Sequence, residues 1–166
     1  MRVASAVRLA AAGALAVAAA GGFIAAPASA AAVTSDATGY SQVLGPPPVT
    51  PVGSCPFGQT DVASFTMLGG SMVNHGTSNN NGDWGGQTIS GTALFSVGAA
   101  SYTGHLTYWN GGGNNAKSQF EFGFTLNFKG SGSGGGLSIN LHGHATSNAN
   151  GVMTVSNPPS GSIICS

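Results

Sequence analysis

Charge is what this sequence has least of. Only 5% of its 166 residues are charged, against about 25% in an average soluble domain. Arg2 and Arg8 are spent near the start of the chain. Past residue 30, Lys117 and Lys129 stand against Asp36, Asp61, Asp83 and Glu121, a net charge of −2 with His neutral. Nucleic-acid binding draws on clustered Lys and Arg that displace counterions from phosphate. Two isolated lysines exclude that partner, and an anionic membrane surface on the same grounds. Low charge accompanies disorder in some chains, but here 42% of residues are hydrophobic and they alternate strongly. A folded, Gly-rich β-protein is the expectation.

Other absences narrow the function. No Gly-x-Ser-x-Gly elbow marks a serine hydrolase. Asp61, Asp83 and Glu121 are the carboxylates of the region expected to fold, and nothing in their spacing pairs two of them as a glycosidase requires. No phosphate-binding glycine motif precedes a helix, because no stretch has helical periodicity. The expectation is a protein without a catalytic site and without a cofactor. Long apolar runs are confined to the first thirty residues. There Arg2 and Arg8 lead into an uncharged Ala-rich run over 9–26, and Ala28-Ser29-Ala30 is a small-residue cleavage pattern. Residues 1–30 therefore read as a secretory signal peptide. No membrane span is expected after its removal, and the mature protein is expected to be secreted.

Cysteine is nearly absent too. Cys55 and Cys165 are the two present, and in an exported chain an even count points to a disulfide. A Cys55–Cys165 bond would tie the start of the folded region to its end. Residues 31–54, with Gly45-Pro46-Pro47-Pro48 and Pro51, read as a Pro-rich disordered linker, since consecutive prolines favour polyproline II over a sheet ladder. Residues 55–166 form the expected domain.

What is present in quantity is alternation. In residues 118–129, Phe120, Phe122, Phe124, Leu126 and Phe128 fall at every second position, with polar residues or Gly between them. Successive strand side chains face opposite ways, so this is a half-buried strand. Residues 88–97, 101–109 and 137–146 repeat the pattern. Strands are also expected over 62–68, 71–75, 151–156 and 162–165. A turn is expected at Gly69-Gly70, and Gly/Asn-rich loops over 76–86, 110–116 and 130–136. The expected fold class is all-β: a single-domain antiparallel β-barrel or β-sandwich of about eight strands with a central meander. The expected core is Phe95, Tyr102, Leu106, Phe120, Phe122, Phe124, Leu126, Phe128, Leu137, Ile139 and Leu141.

Three features could carry a site. First, His75-Gly-Thr-Ser-Asn-Asn-Asn-Gly82 matches His144-Ala-Thr-Ser-Asn-Ala-Asn-Gly151 at six of eight positions. This is either reused turn chemistry or two related strand ends on one polar rim, with His75, His144 and Asn148 as hydrogen-bonding groups. Second, pairing Phe128 with Leu137 would set Gly123 against His142 and Glu121 against His144, with His105 beside Gly123. His105, Glu121, His142 and His144 would then converge as ligand types that zinc or copper accepts. The plainer reading is a solvated polar face, and no metal is assigned. Third, Trp84 in a Gly/Asn loop and Trp109 at a strand end are candidate platforms for sugar rings. Asp83 is a single carboxylate in the same loop, thin for calcium. The sequence thus points to an extracellular binding protein for a polysaccharide or another surface partner. A self-assembling surface or envelope protein is the alternative, because few charges are available to blunt strand edges. A metal-binding protein using the His/Glu face is a further one.

Overall fold

The computed structural model describes residues 32–115, 117 and 119–166, so the expected signal peptide over 1–30 lies outside it. Nine strands follow one another: β1 Val33–Asp36, β2 Ser41–Gly45, β3 Val52–Gly53, β4 Ala63–Asn79, β5 Gly82–Val97, β6 Ala100–Asn115, β7 Phe120–Gly132, β8 Gly135–Ser147 and β9 Met153–Cys165. The fold is all-β, and the nine strands form one sheet. Its order is β1-β4-β5-β6-β7-β8-β9-β3, with β2 also on β4. Strands β4 to β9 are an antiparallel meander, and the one parallel pairing is β3 with β9. No hydrogen-bonded pairing joins β4 to β9 among the described residues, so the sheet is not closed.

Alternation puts one apolar face on each strand, and these faces meet over one half of the sheet. Phe65 and Met67 of β4, Ile89 and Phe95 of β5, Tyr102, Leu106 and Tyr108 of β6, Leu126 and Phe128 of β7, and Leu137 and Ile139 of β8 are all buried. The rings of Phe95 and Phe128 lie 5.1 Å apart between centroids, and Phe65 and Tyr108 lie 5.6 Å apart. Fully burying each such side chain is worth about 1.5–3 kcal/mol. Of the expected core, Phe120 departs: it is 44% exposed, while Phe122 is only partly buried. These two sit at the start of β7, where the partners are Asn114 and Ser147, then Gly112 and Ala145. Alternation sets the face a residue takes but not how far along the strand the core extends.

Residues 31–54, expected as a disordered linker, instead carry β1, β2 and β3. Strands β1 and β2 lie along the outer edge of β4. Strand β3 pairs with the end of β9 through Val52↔Ile164 and Gly53↔Cys165. The prolines are compatible with this because Pro46, Pro47, Pro48 and Pro51 fall between β2 and β3, outside the ladder. The intervening segment runs from the β4 side of the sheet to the β9 side, and Pro46, Pro47 and Pro48 line a small apolar cavity with Phe95, Leu126 and Ile163. The Cys55–Cys165 disulfide, spanning 110 residues, fastens that end.

Four expected breaks are wholly or largely strand instead. Gly69 and Gly70 are paired residues of β4, just past a bulge at Leu68, and make no turn. Both flanks of the 76–86 loop belong to β4 and β5, joined by Asn80 and Asn81, and β6 runs on to Asn115. Residues 153–156 and 162–165, expected in two separate strands, belong to one strand, β9, which carries Pro158 and Pro159 where its register against β8 shifts between His142 and His144. Gly and Asn are poor strand formers in isolation, but here each is held in register by long neighbours on both sides.

Candidate functional site

The polar face of the meander is built from three successive rows of cross-strand partners. The middle row reads His75↔Gly86↔Gly111↔Gly123↔His144↔Asn157 across β4 to β9. Three adjacent glycines, with no side chains of their own, leave room that the His75 and Trp109 rings lean into, and the two histidines of the internal repeat bracket them. One flanking row holds Trp109, paired with Thr88 and Thr125, and beyond them His142 and Ser160. The other holds Trp84, paired with Thr77 and Gly113, and next to Gly113 comes Glu121.

The glycines are what let the indoles lie against the sheet. A Cβ at Gly111 would come within 2.9 Å of Trp109 Cζ2, and one at Gly123 within 3.3 Å of Trp109 Cζ3. A Cβ at Gly113 would stand 2.8 Å from Trp84 Cε3. Each ring therefore covers glycine backbone with one side, and Trp84 and Trp109 remain 40% and 38% exposed. Together with His75, Glu121, His142, His144, Thr125 and Asn157 they line one open cleft of about 760 Å³.

Polar contacts within the cleft are few. His144 Nε2 lies 2.9 Å from Glu121 Oε1, with both side chains well exposed, so the pair is worth at most about 1 kcal/mol. His142 Nε2 lies 2.9 Å from Ser160 Oγ. Burial pushes the Tyr108 hydroxyl above the ordinary tyrosine range, but Tyr108 is on the apolar face, where Gln42 Nε2 donates to it at 3.1 Å.

Six of the nine candidate residues thus share the cleft: His75, Trp84, Trp109, Glu121, His142 and His144. Asp83, His105 and Asn148 do not. Asp83 falls on the opposite face from its neighbour Trp84, and its carboxylate accepts from Ser78 Oγ. His105 pairs with Thr92 and Lys129, several residues along β6 from the glycine row. Asn148 shapes the β8–β9 turn, its Oδ1 accepting from the Asn150 and Val152 amides. Asn79, the equivalent residue of the other repeat copy, accepts from the Asn81 amide. The asparagines of the repeat shape turns, and its two histidines line the cleft.

The expected register between β7 and β8 is wrong by two residues. Phe128 faces Ile139, Gly123 faces His144 and Thr125 faces His142. The cause is the connection: a two-residue turn, Ser133-Gly134, replaces the expected seven-residue loop, and turn length fixes register. Glu121 still meets His144, but diagonally. No group of three or more His, Cys, Asp or Glu side chains placed to hold a metal ion occurs among the described residues. Both tryptophans lie within strands rather than in a loop or at a strand end. What sequence reasoning missed is the glycine row. Its signal was present in Gly85-Gly86, Gly111-Gly112-Gly113 and Gly123, and it becomes visible only once those segments are paired as strands.

No family model, curated protein or solved structure matches this chain.

Proposed function

We propose that this chain is a non-catalytic extracellular binding domain whose polar sheet face holds a polysaccharide. The observation that carries the reading is the pair of half-exposed indoles laid on glycine backbone within one cleft. A flat, rigid aromatic face suits the apolar face of a pyranose ring, and it loses little conformational entropy on binding. The imidazoles of His75 and His144, the Thr125 hydroxyl and the Asn157 amide supply donors and acceptors for sugar hydroxyls. Glu121 is the one carboxylate among the described lining residues, and hydrolysis of a glycosidic bond uses two. The Cys55–Cys165 disulfide is compatible with an exported protein. None of the described helical or strand segments forms a helix able to cross a membrane. We also read the sheet as an unclosed barrel whose seam is spanned by residues 46–51.

The test is co-sedimentation of the purified mature chain with a panel of insoluble cell-wall and plant polysaccharides. Pelleting with one polymer, lost on Trp84→Ala with Trp109→Ala, is the expected result. A chain that stays in the supernatant with every polymer overturns the reading.

Self-assembly is the second reading, and the outer edge of β9 favours it. Its β3 partner covers only Ile164 and Cys165, and Met153 is 60% exposed. Pro158 and Pro159 interrupt that same edge, which is how natural sheets discourage pairing. Pelleting of the protein alone, at a threshold concentration, is its expected outcome.

A further inference from the structure

We infer that the cleft takes an internal stretch of a neutral, extended glycan chain laid across the strands, not a chain end or a single sugar. The inference rests on the polysaccharide reading above and specifies the ligand. Its first support is length. The row from His75 to Asn157 crosses all six strands of the meander, and strands spaced ~4.8 Å apart give a track of roughly 24 Å, room for several pyranose rings. The second is that, among the described residues, no strand pairs with either end of the track, His75 or Asn157, on its outer side. On the β4 side, the β1 pairing closest to His75 is Val33 with Asn74. On the β9 side, β3 reaches only Ile164 and Cys165, far from Asn157. A site built for a chain end is closed on one side, and nothing among the described residues closes this one.

The third support is the placement of the two indoles. They belong to the rows on either side of the glycine track and stand on adjacent strands: Trp109 leans over the track glycines Gly111 and Gly123, and Trp84 lies over Gly113 in its own row. The two platforms are offset by one strand, ~4.8 Å, along the track and stand on opposite sides of it, so they engage neighbouring sugars of one chain and a single sugar would use only one of them. The fourth is charge. Neither Lys117 nor Lys129 lines the cleft, and its one carboxylate, Glu121, is paired with His144. A polyanionic glycan finds no Lys or Arg there, whereas neutral hydroxyls find imidazole, amide and hydroxyl partners.

The probes are soluble β-1,4-linked glucose and N-acetylglucosamine oligomers of one to six units, titrated calorimetrically into the mature chain. The set includes each hexamer with its reducing end converted to the alditol, and a uronic-acid hexamer. For the preferred sugar, affinity is expected to rise at least tenfold between the dimer and the pentamer and then level off. The alditol should bind as tightly as the parent hexamer, and Trp84→Ala and Trp109→Ala should each lower hexamer affinity about tenfold. Binding that is indifferent to length, is lost in the alditol, or favours the uronic-acid hexamer overturns the inference and leaves the polysaccharide reading standing. Sedimentation with an insoluble polymer, without binding to any oligomer, also overturns it in favour of a flat polymer surface. If neither polymers nor oligomers bind, the parent reading falls instead.

Discussion

At the scale of single residues, the polar face and the apolar face follow opposite rules. On the polar face, glycine is selected by what lies over it: the indole of Trp109 occupies the space that side chains at Gly111 and Gly123 would take. On the apolar face, the demand is for satisfied hydrogen bonds. Tyr108 meets it through Gln42. Tyr102 does not, because its hydroxyl is buried without a partner, packed toward Gly134 and the Pro56 ring. A buried hydroxyl with no partner costs about 1–3 kcal/mol relative to leaving it in water. Tyr102→Phe is therefore expected to leave stability unchanged or raise it by about 1 kcal/mol, read from the urea midpoint. A loss of more than about 1 kcal/mol would show that the hydroxyl has a partner in solution, such as an ordered water.

At the scale of elements, the close approach of β4 and β5 just past the Leu68 bulge shows how glycine serves a strand. Gly70, at φ +135°, and Gly91, at φ +154°, face each other across β4 and β5. Their backbones approach so closely that a Cβ on Gly91 would collide with the Gly69 carbonyl, and one on Gly70 with the Ser90 carbonyl. Gly91→Ala is expected to cost about 2 kcal/mol or more, combining strain at an unfavourable φ with local separation of the two strands. A chemical denaturation curve shifted by less than about 0.5 kcal/mol would count against this account of the Gly70–Gly91 approach. Strand β1 offers a pH-dependent counterpart. The Thr38 hydroxyl and amide both donate to Asp36 Oδ1, at 2.7 and 2.9 Å, and these bonds hold the Asp36 carboxyl below the usual carboxylate range. A lowered folded-state value means that the contribution is present at neutral pH and is lost as pH falls through it. Amide chemical shifts of β1 are expected to move on acidification, and Asp36→Asn, which keeps an acceptor oxygen without the carboxyl proton equilibrium, should remove that titration.

At the scale of the whole molecule, the sheet is held at its two ends by different means. Strands β1 and β2 hydrogen-bond along β4. The far end depends on the short β3 pairing and on the Cys55–Cys165 bond. Closing a loop of this size restricts the unfolded chain by an amount on the order of 4 to 5 kcal/mol. Stability measured with a reducing agent present is expected to fall by that order, and Cys55→Ser with Cys165→Ser should reproduce the loss without reductant. A variant lacking both cysteines that matched the parent midpoint would place the stability of this seam in packing by Phe57, Pro46 and Ile163 instead.

The sequence by itself determined the class of the fold, the meander, the disulfide and the face each residue takes. Those follow from local facts: period-2 alternation in Phe124, Leu126 and Phe128, its echo in Leu137, Ile139 and Leu141, and an even cysteine count. It placed Trp84 and Trp109 among the candidate binding residues on side-chain chemistry alone. The tertiary structure decided the rest, and each case has a non-local cause. Phe120 is exposed because the core ends before the start of β7. Residues 33–36, 41–45 and 52–53 are strand because β4 and β9 offer edges for them to pair with, which the prolines between β2 and β3 do not reveal. His144 lies opposite Gly123 because a two-residue turn sets the register, and a two-residue slip, which keeps every side chain on its face, is invisible to alternation. The glycine track exists only when β4 to β9 are aligned side by side. Periodicity along a chain reports which way each side chain points, whereas a site assembled across six strands depends on register, and register is fixed by the turns and packing of the whole sheet.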